Sequence, residues 1–178
     1  IMQDQRVAII GAGVSGLGIG WRLAQAGCQV VIFDRGKACR GASWAAAGML
    51  AARAEAEPGE EALLSLNLQA QQIWPVFAKE LEDASGRTIG YRDEGTLIVA
   101  PTRDDAEQLR FTYEYQKSQG LDVHWLNAAE VRRREPYLAP GLSGGVFSPG
   151  DHQVDNRELS LALKAAFLAA GGKLHEHR

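Results

Sequence analysis

Gly11, Gly13 and Gly16 stand at the spacing G-x-G-x-x-G, and an acid, Asp34, follows about twenty residues on. The chemistry this pattern supports belongs to the main chain. The first glycine lets the chain turn sharply, the second lets the backbone approach a pyrophosphate, and the third lets a helix lie close to a strand. Free N–H groups and the positive dipole end at a helix start suit a diphosphate. Asp34 is placed to accept hydrogen bonds from ribose hydroxyls and would repel a 2′-phosphate. The set reads as dinucleotide binding rather than a glycine turn that merely packs tightly. It disfavours NADP and leaves FAD and NAD undistinguished.

The elements needed to position these residues are present. Val7–Ile10 is a short apolar run, as expected of a strand buried on both faces of a parallel sheet. A helix follows over Ser15–Ala26, with Leu17, Leu23 and Ala24 inward and Gly27 as its stop. Gly18 and Gly20 inside it point to close packing, since each weakens an exposed helix by about 1 kcal/mol relative to alanine. A second strand, Val30–Phe33, delivers Asp34.

Beyond it, Gly36–Ala54 is a loop of small residues and Glu55–Glu61 an acidic, solvated one carrying Pro58-Gly59. From Ala62 a helical period sets Leu63, Leu66, Ala70, Ile73, Phe77 and Leu81 on one face, and Pro75 should kink this helix or open a second. Thr88–Ala100 predicts a hairpin around Asp93-Glu94-Gly95. A helix over Asp104–Gln119 precedes a short strand, Val123–Leu126. Asn127 caps a helix, Ala128–Arg134, that ends before Pro136. Two extended segments, Gly144–Ser148 and His152–Val154, flank Pro149-Gly150. Asp155 or Asn156 caps a helix to Ala170 with Leu159, Ala162, Leu163, Ala166, Phe167 and Ala170 on one face. A strand over Lys173–His177 then returns to the first sheet. More than a hundred residues thus separate the second and third strands of the nucleotide fold, an arrangement expected of FAD enzymes with two braided domains rather than of NAD dehydrogenases.

Composition narrows the function classes. The 178 residues carry a net charge of −3 and 46% hydrophobic residues, which gives no sign of nucleic-acid binding and allows a real core. No apolar stretch reaches the roughly 20 residues of a membrane span. Cys28 and Cys39 lack C-x-x-C spacing, so disulfide scaffolding and zinc are not expected, and a reducing cytoplasm is the simplest reading. His124, His152, His175 and His177 form no metal-ligand pattern; His175 and His177 should share one face of the last strand. The Arg132–Arg134 run reads as a solvated face. The chain opens Ile1-Met2 and stops after a strand, with too few strands for a whole sheet, so a piece of a longer protein is expected.

A second loop, Gly41-Ala42-Ser43-Trp44-Ala45-Ala46-Ala47-Gly48-Met49-Leu50, has side chains small enough for amides to lie against a flat ring or a phosphate, and Ser43 adds a hydroxyl donor. Its Ala-Ala-Ala-Gly-Met-Leu string, followed by Ala-Arg-Ala-Glu at 52–55, resembles the glycine oxidase family, the thiamine-biosynthesis branch of the D-amino-acid oxidase superfamily of flavoproteins. The resemblance continues in order through Asp93-Glu94-Gly95-Thr96-Leu97, Glu135-Pro136-Tyr137 and Asp151-His152-Gln153-Val154-Asp155.

What the resemblance implies is an α/β fold with an incomplete, FAD-binding Rossmann-like parallel sheet and an inserted α+β portion of a substrate domain. Residues 1–55 would be the FAD-binding βαβ unit and flavin loop, 56–150 the insertion, and 151–178 the returning helix and strand, with the remainder expected beyond Arg178. Val14 and Ser15 match positions at the FAD diphosphate, and Asp34 and Arg35 those at the adenosine ribose. Asp34 replaces the commoner Glu. Ala42 and Ser43 match phosphate and flavin-side contacts, and Ala46, Ala47, Gly48 and Met49 the backbone beside the isoalloxazine. Met49 and Leu50 could line the pocket entrance. The implied activity oxidises glycine or another small amine, with hydride transfer to flavin and O2 reduced to H2O2. The rivals are a sarcosine- or D-amino-acid-type oxidase and an inactive flavin-binding fragment. A homo-oligomer is expected. The family's substrate arginine has no counterpart here, so no catalytic residue is assigned.

Overall fold

The computed structural model describes residues 5–178, so the opening Ile1-Met2 lies outside the described residues. In chain order the elements are β1 (Arg6–Ile10), α1 (Val14–Gln25), β2 (Gln29–Phe33), α2 (Ala42–Ala45), β3 (Met49–Leu50), α3 (Glu61–Ser85), β4 (Thr96–Ala100), α4 (Arg103–Ser118), β5 (His124–Leu126), α5 (Ala128–Arg134), β6 (Gly144–Ser148), β7 (His152–Gln153), α6 (Asn156–Ala169) and β8 (Lys173–His175). They divide into two compact units.

The first unit comprises Ile1–Met49, Trp74–Tyr91 and Val154–Arg178. Its sheet has the order β1-β2-β8. Both pairings are parallel, with Ala8 opposite Val31 and Ile32 opposite Leu174. Parallel neighbours need a crossover between them, and α1 and α6 are those connections. The two helices can approach the sheet closely because Gly20 has no side chain: a Cβ there would sit 2.9 Å from Ile32 and 3.1 Å from Phe167. Leu17, Trp21, Ile32, Ala162 and Phe167 are all buried in this layer. On α6 the burial of Leu159, Ala162, Leu163, Ala166 and Phe167 follows the expected period, and Asp155 is its cap, accepting from the amides of Arg157 and Glu158.

Four expectations are corrected in this unit. Among the described residues β1 is not buried on both faces: it pairs with β2 alone, and Ile10 is 85% exposed. Arg6, Ala8, Val31, Phe33 and Lys173 line an open groove along the sheet. The most deeply buried side of α1 is Leu17, Gly20 and Trp21, while Leu23 and Ala24 are only half-buried. Gly20 meets neighbours, but a Cβ on Gly18 would touch nothing within 4 Å, so Gly18 is not there for packing. His175 and His177 do not share a strand face. β8 ends at His175, which stacks on Phe33 with ring centroids 5.2 Å apart, and His177 has φ of 61°, outside any strand geometry.

The second unit comprises Leu50–Ile73 and Arg92–Gln153. Its sheet is antiparallel with the order β4-β6-β5, which places Leu97 opposite Phe147 and Trp125 opposite Val146. Ala56, Leu64, Leu121, Val123 and Val146 form its core, with Leu68, Ile98, Leu109, Tyr113 and Trp125 packed around them. Two capping boxes start its helices, Thr102 with Asp105 for α4 and Asn127 with Glu130 for α5. The expected hairpin over Thr88–Ala100 does not form. β4 pairs with β6, about fifty residues on, and Arg92 bridges Gln153 instead. Arg132, Arg133 and Arg134 are all exposed as expected, and the Arg134 guanidinium lies 3.7 Å from the Phe147 ring centre.

α3 is one continuous 25-residue helix through Pro75, so the proline does not open a second one. Its buried side runs Leu64, Leu68, Gln71, Trp74, Ala78 and Leu81, whereas Leu63, Leu66 and Ile73 from the expected face are exposed. The reason is Gln71. Its Nε2 donates to the Leu50 carbonyl at 2.8 Å and its Oε1 accepts from Arg53 at 2.7 Å, so a polar residue is satisfied while buried. Asp151 completes this network, fully buried, accepting from the amides of Arg53 and Ala54 at 3.0 and 2.7 Å.

Candidate functional site

The glycine turn leaves β1 and enters α1 as the spacing requires. Gly11 has φ of 101°, a conformation that favours glycine, and its amide donates to the Phe33 carbonyl at 2.7 Å. Gly13 is the helix cap residue. A Cβ on Gly16 would lie 2.0 Å from the Gly11 carbonyl oxygen, so the first turn of α1 and the end of β1 approach more closely than any side chain allows. Val14, Ser15 and Gly16 are the first residues of the helix, whose amides find no carbonyl one turn back within it. They are held at the positive end of a 12-residue helix.

The second loop lies directly against the first. Ser43 Oγ accepts from the Val14 amide at 3.1 Å, and a Cβ on Gly13 would lie 3.1 Å from the same oxygen. The expected hydroxyl donor is thus an acceptor toward α1, with its proton still available to another partner. Part of the stretch read as loop is helical: Ala42–Ala45 forms the short α2. Gly48 then has φ of 78°, and a Cβ there would stand 2.0 Å from the Val154 carbonyl oxygen. Its own carbonyl accepts from the Val154 amide at 2.9 Å. Ala42, Ala46, Ala47 and Met49 are exposed, and Ser43 and Gly48 half-buried. The two loops therefore form one surface of small residues and main chain, with α1's first turn at its edge.

Asp34 stands at the end of β2, where its Oδ2 accepts from the Ala12 amide at 2.7 Å and its Oδ1 from the Gly36 amide at 2.8 Å. The two backbone amides hold its carboxyl below the usual range, with a smaller contribution from the Arg35 charge. The anion is therefore fixed beside the glycine turn, each oxygen keeping capacity for a further donor. Arg35 is exposed next to it. Cys39 lies buried against the same turn, its amide and Sγ both directed at the Ala12 carbonyl, and burial raises its thiol pKa. It is a packed residue, not a nucleophile. Glu176 accepts from Lys164 and from the Ala38 amide, and both lower its carboxyl pKa while tying the β2–α2 connection to the chain's end.

Reading the sequence missed two residues of this site. By its place in the sequence Asn156 is a candidate cap for α6, yet its side-chain amide donates to the Ser43 and Trp44 carbonyls at 2.8 and 3.0 Å. Trp44 carries the Arg40 guanidinium 3.7 Å from its ring centre and that of Arg157 at 5.1 Å. No sequence signal marks an asparagine that bonds to carbonyls more than a hundred positions earlier. Among the described residues no cluster of histidine, cysteine or acids could hold a metal ion, and no helix is long and apolar enough to cross a membrane.

A parallel sheet whose glycine turn feeds a helix, with an acid at the end of the second strand, defines a dinucleotide-binding α/β protein. Residues 6–178 match the family described as FAD dependent oxidoreductase, and the chain belongs to that family of flavin enzymes. It is 39% identical over 172 residues to a glycine oxidase of Geobacillus kaustophilus, covering 96% of this chain and 45% of that protein. It is 34% identical over 170 residues to the bifunctional protein ThiO/ThiG of Trichormus variabilis, covering 96% of this chain and 25% of that one. The crystal structure of glycine oxidase from Geobacillus kaustophilus superposes with a TM-score of 0.91 at 39% identity, covering 98% of this chain and 47% of that one. The chain thus spans less than half the length of these relatives. The partial FAD-binding, Rossmann-like character of the fold agrees with this match.

Proposed function

We propose that this chain is the FAD-holding part of an oxidase of small amino acids or amines, of the glycine oxidase type that serves thiamine thiazole synthesis. The observation that carries the reading is the 3.1 Å bond from the Val14 amide to Ser43 Oγ, which joins the glycine turn and the small-residue loop into one surface. Its features suit the group. The turn has no side chain to exclude a diphosphate, the amides of Ser15 and Gly16 sit at a helix N-terminus beside Val14, whose own amide is taken by Ser43, and an ionised Asp34 stands where ribose hydroxyls would be bound. Gly11, Gly13 and Gly16 would then admit the diphosphate, Arg35 would neighbour the ribose, and Ala42 and Ser43 would reach the phosphate and flavin side. Ala46, Ala47, Gly48 and Met49 would form the wall beside the ring. The flavin, when bound, supplies the hydride acceptor for amine oxidation, with O2 as the final acceptor and H2O2 the product.

In this reading the chain's own residues bind and orient, and they move no proton. Residues 56–150 would be the inserted part of a substrate domain, and the groups that recognise the substrate carboxylate are not assigned to this chain. Titration of the purified chain with FAD, followed by quenching of flavin fluorescence, tests the proposal. Saturable uptake at one FAD per chain is expected, lost in Gly16→Ala. A colourless protein that leaves flavin fluorescence unchanged would overturn it.

A further inference from the structure

The residues at the start of α6 hold both ends of the small-residue loop. At one end Val154 exchanges backbone contact with Gly48, its amide donating at 2.9 Å and its carbonyl lying where a Gly48 side chain would be. At the other, the Asn156 amide donates to two successive carbonyls, Ser43 and Trp44. Two acceptors within 3.0 Å fix the orientation of that amide, because only its NH2 end can satisfy both. Arg157 faces the Trp44 ring, on which Arg40 also lies. None of this is needed to start the helix, since Asp155 already accepts from the Arg157 and Glu158 amides.

We propose that Asn156 is a positioning residue for the cofactor site, acting through the loop: it fixes the Ser43 and Trp44 carbonyls, and thereby the Ser43 hydroxyl against the first turn of α1. Ser43 makes its bond to Val14 from the same residue whose carbonyl Asn156 grips, so the two contacts are one lever. The inference rests on the cofactor reading above for its functional consequence, but its structural half stands without it.

The test compares Asn156→Ala and Asn156→Asp with the wild-type chain by amide hydrogen exchange without FAD, and then by FAD titration. In Asn156→Ala the amides of Val14, Trp44 and Ala46 should exchange about tenfold faster and FAD should bind about tenfold more weakly, the order expected from losing one to two hydrogen bonds. Asn156→Asp keeps the shape but replaces the donor pair by an anion facing two carbonyl oxygens, and should loosen the loop at least as much. Asp155→Ala, which removes the helix cap, should lower the melting temperature while leaving those three amides and FAD affinity within about twofold. Exchange at Val14 within about twofold of wild type in Asn156→Ala, or an Asn156→Asp chain indistinguishable from wild type, would overturn the proposal. If the wild-type chain takes up no FAD, the cofactor reading fails, and the exchange rates alone decide whether Asn156 is the lever.

Discussion

The glycine turn and the small-residue loop come together by opposite means. The turn's tightest approach, Gly16 to the Gly11 carbonyl, is made inside the motif itself, and the bonds that reach it from Phe33 and Asp34 come from the neighbouring strand end. The loop is held from without, by Asn156 and Val154, more than a hundred positions later. A surface of nearly bare backbone has few side chains with which to stabilise itself, so its shape must come either from steric necessity or from borrowed hydrogen bonds. The first device is visible as a motif. The second is not, because any asparagine near a helix start has an ordinary role as a cap.

This contrast can be broken from either side. The largest effect should come from Gly16→Ala, whose new Cβ would stand 2.0 Å from a backbone oxygen that cannot move without undoing the turn. A loss of roughly 3 kcal/mol in a denaturant melt is expected, together with loss of FAD uptake. Next is Asp34→Asn, because an amide must turn its NH2 toward one of the two backbone donors that the carboxylate accepts. Since folding lowers the Asp34 pKa, its stabilisation is fully present above the unfolded value of about 3.9 and is lost as pH falls through the lower folded value. Asp34→Asn should be less stable than wild type at neutral pH, and the gap should close in melts taken at progressively more acid pH. Ser43→Ala removes one bond to Val14 and should cost about 1 kcal/mol, read chiefly as weaker FAD binding with little change in melting temperature. The smallest effect has the opposite sign: Gly18→Ala, with open space around the new methyl, should stabilise α1 by up to about 1 kcal/mol.

Elements written in short-range pattern were legible in the sequence. The turn, α1, the cap of α5 by Asn127 and the apolar face of α6 each depend on residues within a few positions of one another. Misreadings share the opposite property. α3 carries two apolar stripes of nearly equal period, and the buried one includes Gln71, which looks polar until Arg53, the Leu50 carbonyl and Asp151 are placed around it. Thr96–Ala100 is indeed a strand, but its partner is Gly144–Ser148 rather than the adjacent segment, and a turn sequence at Asp93-Glu94-Gly95 cannot reveal that choice. β1 is as apolar as a central strand, yet among the described residues it pairs with β2 alone. For the site, the resemblance carried by Ala-Ala-Ala-Gly-Met-Leu supplied the loop that spacing alone would have left as a small-residue linker. The contact between that loop and the turn is a property of the folded chain.

Whether both loops hold one molecule can be measured by following backbone amide resonances while FAD is added. The amides of Val14 and Ser15 in the turn, and of Gly48 and Met49 in the loop, should shift together along one binding curve, with core amides such as Val146 unmoved. Shifts confined to one of the two loops, or midpoints that differ between them, would contradict a shared flavin dinucleotide.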